Sequence, residues 1–134
     1  MEAWEFDFEW LKTRTYVKEQ LHQQELPDLN TILLLVGLQE LGRWKKELSK
    51  EEKQDLMHIA VCRLLSMEGF FRFKGRDQDG WPHWEQLKPL PTKGVDEQEQ
   101  LLKGLLINYF KGLRIEHEQL SLSKIKKSKH NEEE

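Results

Sequence analysis

The chain has 134 residues, a length that suits one domain with its own hydrophobic core. It carries 21 Lys and Arg against 24 Asp and Glu, a net charge of −3, so it lacks the basic surplus of a general nucleic-acid binder and no nucleic-acid partner is expected. A single cysteine excludes an internal disulfide, and the longest apolar run, residues 32–38, is too short to span a bilayer; a soluble protein in a reducing, cytoplasmic setting with no membrane partner is expected.

The opening stretch MEAWEFDFEW has no basic region followed by an apolar run, so no signal peptide is expected. Its aromatics Trp4, Phe6, Phe8 and Trp10 alternate with acidic residues, as in a strand. Phe6, Trp10, Thr13, Val17 and Leu21 also mark one helical face. Both patterns are met if residues 3–6 are extended and a helix starts at Asp7, a good N-cap, and runs to about Glu25. Arg14, Lys18 and His22 then form its solvent side. Pro27 breaks the chain, and Asp28 or Asn30 caps the next helix. Residues 31–41, TILLLVGLQEL, are apolar nearly all round. Gly42 stops this helix, and Gly37 inside it implies a close approach to a neighbouring helix. The connector RWKKEL carries Trp44, read as a flap over the edge of the core.

Residues 49–68 are the clearest element and are expected to form the central buried helix. Ser49 and Glu52 have the spacing of a capping box, and Gly69 suits a left-handed stop. Leu56, Met57, Ile59, Ala60, Val61, Leu64, Leu65 and Met67 leave only a narrow polar stripe of Glu51, Asp55, His58, Cys62 and Ser66. Within it, Asp55, His58 and Cys62 offer a carboxylate, an imidazole and a thiol one turn apart. Together they could hold a metal, or the imidazole could activate the thiol. Core packing is the preferred reading, because no clear fourth ligand is visible.

Residues 70–87 read as an antiparallel β-hairpin around GRDQDGWPHW, with Asp79-Gly80 as its turn, and the extended residues 4–6 are a candidate third strand. The GRDQDG segment resembles half of an EF-hand loop, with Asp77, Asp79 and Gly80 at the third, fifth and sixth positions. Gly75 and Gln86 stand where the first and last ligands belong, so calcium is not expected. Pro89 and Pro91 mark a linker, and a last helix covers 97–116, with Leu101, Leu102, Leu105, Leu106, Tyr109, Phe110 and Leu113 on its apolar face. The pattern fades over 117–134, which read as a charged, flexible tail after a globular domain of 1–116.

The expected fold is thus mainly α: about four helices packed around 49–68, with a small hairpin. There is no phosphate loop, H-E-x-x-H, G-x-S-x-G or C-x-x-C, so no motif fixes a reaction and no cofactor is expected. The leading expectation is a small non-catalytic interaction or accessory protein with a protein partner. Its contact surface would be the hairpin, through Arg76, Asp77, Trp81, His83 and Trp84. The alternative is a metal- or thiol-dependent enzyme or sensor using Asp55, His58 and Cys62. Homodimerisation through an exposed face of 31–41 is a further option.

Overall fold

The computed structural model describes residues 2–44 and 47–132, with side chains in the last helix described as far as Leu113. The described elements run α1 (Ala3–Gln20), α2 (Leu29–Leu41), α3 (Lys50–Ser66), β1 (Phe71–Arg76), β2 (Pro82–Gln86) and α4 (Val95–Glu132). The fold is mainly helical with a two-stranded antiparallel hairpin, as the sequence pattern implies. No helix among the described residues is long and apolar enough to cross a membrane.

The central helix is α3, in contact with α2, β1 and α4. Its start is fixed by the capping box: Glu52 N–H donates to Ser49 Oγ at 3.1 Å, and Ser49 N–H donates to Glu52 Oε1 at 3.2 Å. Such a cap contributes about 1 kcal/mol. Its inward side buries Leu56, Ile59, Ala60, Cys62, Leu64 and Leu65. Ala60, Leu64 and Leu65 join Val17 of α1, Ile32, Leu33 and Val36 of α2, and Leu105, Leu106 and Tyr109 of α4 in the main core. A second cluster of Leu38, Leu56 and Ile59 lies between α2 and α3 and is covered by Trp81 from the hairpin.

Asp28 caps α2 by accepting from Thr31 N–H at 2.8 Å, and Gly42 ends it at φ 80°. Gly37 sits where α2 and α3 come closest. A Cβ there would lie 2.1 Å from the backbone oxygen of Leu56, so the backbones touch where only glycine fits. The apolar surface of α2 is mostly spent inside the chain, with Ile32, Leu33, Val36, Gly37 and Leu38 buried.

Three expectations are corrected at the termini of the helices. Residues 3–6 are not extended and add no third strand; α1 is helical from Ala3. The alternation arises because aromatics lie on two helical faces. Phe6 and Trp10 turn inward, Phe6 to 3.7 Å from the Cβ position of Gly104, while Trp4 and Phe8 turn to solvent. Secondly, α1 stops at Gln20 rather than Glu25. His22 takes the left-handed conformation at φ 54°, and Gln23 N–H donates back to Lys18 O, a stop in which histidine stands where glycine is usual. His22 therefore lies past the helix, and Arg14 is only partly exposed: its Nε donates to Pro27 O at 2.8 Å and straps the α1–α2 loop. Thirdly, α4 continues to Glu132, well past 116. Residues 114–132 contain no Gly or Pro to break it. The side chains of the charged segment 117–134 lie outside the described residues.

Candidate functional site

The hairpin owes its geometry to one extra residue. Phe71 pairs with Gln86 and Phe73 with Trp84, but Gly75 pairs with His83 and Arg76 with Pro82, so Lys74 is a bulge. Side chains alternate faces along a strand, so without the bulge Arg76 would point away from Phe73. With it, Phe71, Phe73 and Arg76 share a face with Pro82 and Trp84. Gly75, at φ 126°, supplies the backbone freedom that the bulge requires. Arg72 and Glu85, direct cross-strand partners, form an ion pair on the opposite face.

The shared face closes over the ends of α2 and α3. Arg76 docks it: Nη2 donates to Glu40 O at 2.6 Å, and Nη1 to Leu41 O at 3.2 Å and Gly80 O at 2.9 Å. Two of these oxygens belong to the C-terminal turn of α2, where the helix dipole favours a cation. Arg43 reaches across in the same way, its Nη2 donating to Asp79 O at 2.6 Å. Trp81 adds the apolar anchor on Leu38, Leu56 and Ile59. Asp77 organises the turn, its Oδ1 accepting from Asp79 N–H and Trp81 N–H, both at 2.9 Å, and its Oδ2 from His83 Nε2 at 2.9 Å. The bond from His83, followed by that from Trp81 N–H, holds the Asp77 carboxyl below the ordinary aspartate range.

What remains between sheet and helices is a cleft of about 440 Å³, lined by Glu40, Arg63, Ser66, Phe73, Arg76, Pro82 and Trp84. Phe73 stands at it half exposed (51 %), its ring centroid 5.3 Å from that of Trp84. The Trp84 indole N–H is buried and has no hydrogen-bond partner among the described residues. Polar groups from three helices meet behind. Glu40 Oε1 accepts from Tyr109 OH at 3.0 Å and lies 3.3 Å from Arg63 Nε, while the Arg63 guanidinium lies over the Tyr109 ring. Burial, and secondarily the Glu40 charge, push the Tyr109 hydroxyl up from its ordinary pKa.

Of the residues singled out in the sequence, the structure brings Arg76 and Trp84 together at this cleft. Trp81 is spent on docking, and Asp77 with His83 on shaping the turn. Glu40, Arg63, Ser66 and Phe73 were not singled out as a site. The available signals were Glu40 and Arg63 as charged residues within otherwise apolar helical stretches, and a glycine inside a strand pattern, which often marks a bulge. A second apolar stripe, Trp4, Phe8 and Leu11, lies exposed along the outer side of α1.

The stripe on α3 has a different character. Cys62 Sγ lies 3.6 Å from His58 Nε2, but Cys62 is fully buried whereas Asp55 and His58 face solvent. Among the described residues no group of three His, Cys, Asp or Glu side chains gathers to hold a metal. Burial pushes the thiol up to about 11, opposite to the direction that makes a cysteine nucleophilic. Accordingly, Ellman's reagent at pH 8 should leave Cys62 almost unmodified in the native chain and react fully only after unfolding in urea. Rapid native labelling would restore the thiol chemistry.

Comparison of the chain with family models, with curated proteins and with solved structures finds no match.

Proposed function

We propose that the chain is a small, non-catalytic interaction or accessory protein that receives a protein partner at the cleft beneath its hairpin, with Phe73 and Trp84 as the first contacts. The observation that carries this reading is the half-exposed Phe73 ring packed against the partly buried Trp84 on a hairpin already fastened to the helices by Arg76 and Trp81. A preformed aromatic surface loses little conformational freedom on binding, and buried aromatic and arginine anchors dominate interface energetics. The buried, high-pKa thiol of Cys62 weighs against the enzyme alternative, and the inward-facing apolar surface of α2 weighs against homodimerisation through that helix. The free cysteine suits a reducing, cytoplasmic setting.

Photo-crosslinking tests the reading. A benzoylphenylalanine placed at position 73, expressed in the cells that make the protein, should yield a discrete adduct with one partner. The same group at exposed Gln98, on α4, should not. Identical adduct patterns from both positions would overturn the assignment of the surface.

A further inference from the structure

We infer that the cleft receives a carboxylate carried by the partner polypeptide, an acidic side chain flanked by an apolar residue. The inference rests on the interaction reading above and specifies its chemistry. Its basis is a charge imbalance in a confined space. Two guanidinium groups, Arg63 and Arg76, and one carboxylate, Glu40, line the cleft, which leaves one surplus positive charge. Arg76 is held by carbonyl oxygens and forms no ion pair among the described residues, so its charge meets dipoles but no anion. Arg63 faces Glu40 through Nε, while its two terminal amines make no hydrogen bond among the described residues. A guanidinium fork with free terminal amines matches the two oxygens of a carboxylate.

The surroundings select among anions. One surplus charge matches a monoanion, and the Glu40 carboxylate beside it would repel a phosphate dianion. The wall on the hairpin side is Phe73, Pro82 and Trp84, with Phe73 half exposed, so the group carrying the carboxylate gains from an apolar neighbour. Among the described residues the two-stranded sheet also leaves one edge of each strand without a neighbouring strand, which an extended polypeptide can follow while its side chain enters the cleft.

The test is an NMR titration of the full ¹⁵N-labelled chain, read at the Trp84 indole N–H. The probes are the peptide acetyl-Gly-Ser-Phe-Glu-Leu-Gly-amide, its Gln counterpart, sodium benzoate and inorganic phosphate. The Glu peptide should shift the resonance saturably and bind at least about tenfold more tightly than the Gln peptide, as expected when one charge-assisted contact is lost. Arg63→Gln should remove that preference, and so should Ser66→Asp, which places a negative charge at the rim. The other tryptophan indole resonances report that each variant keeps the fold. Equal binding of the Glu and Gln peptides, or tighter binding of phosphate, would overturn the carboxylate assignment. Benzoate binding as tightly as the Glu peptide would overturn the polypeptide source. If position 73 captures a partner while the Glu and Gln peptides bind alike, the carboxylate inference fails and the interaction reading stands. If the Glu peptide is preferred and position 73 captures nothing, the interaction reading fails instead.

Discussion

Gly37→Ala should destabilise the protein by about 3 kcal/mol, despite adding a residue that favours helices by about 1 kcal/mol. The new methyl would sit 2.1 Å from the Leu56 carbonyl oxygen and 2.7 Å from its carbon. Both are backbone atoms of α3, so no side-chain rotation can relieve the clash. The helices must separate, and separation opens the Leu38–Leu56–Ile59 cluster on which Trp81 rests. Thermal unfolding followed by far-UV circular dichroism should show a Tm lower by roughly 10 °C for a chain of this size. A variant as stable as the parent would mean that α2 and α3 do not meet at this glycine.

Leu64→Ala should cost a comparable amount, in the range of about 2–5 kcal/mol. Leu64 is fully buried on the face of α3 that joins α1, α2 and α4, and its removal leaves a cavity that four helices border. Met67, one turn later and 39 % exposed, is the internal control: Met67→Ala should cost well under Leu64→Ala, about 1 kcal/mol or less. Urea unfolding of the two variants measures the contrast. Equal effects would show that α3 is peripheral.

Much of the helical frame was legible because its signals are local. The Ser49–Glu52 box, the Asp28 cap and the left-handed stops at Gly42 and Gly69 each need only a few residues, and each is present. Gly37 was legible as a point of close approach because a glycine in an otherwise apolar helix has few other uses. The start of α1 was misread because period-two alternation and a helix with aromatics on two faces give the same string over Trp4 to Trp10. Its end was misread because His22 does the work of a glycine. The cleft was largely illegible. It depends on the bulge at Lys74, which moves Arg76 to the face of Phe73 and Trp84, and on Glu40, Arg63 and Tyr109 meeting from three helices. Neither follows from spacing within one element. Arg76 and Trp81, candidate contact residues from the sequence, fasten the hairpin to the helices, Arg76 through Glu40 O and Leu41 O and Trp81 through Leu38, Leu56 and Ile59.

The central claim is that the hairpin is clamped to α2 and α3, so that the Phe73–Trp84 cleft exists before any partner arrives. Amide hydrogen exchange in the free protein and in Arg76→Ala tests it most directly. The account predicts slow exchange for the cross-strand-bonded amides of β1 and β2 in the parent. In the variant that protection should be lost in the hairpin and retained in the middle of α3. Fast exchange of those amides in the parent, or hairpin protection unchanged in Arg76→Ala, would contradict it.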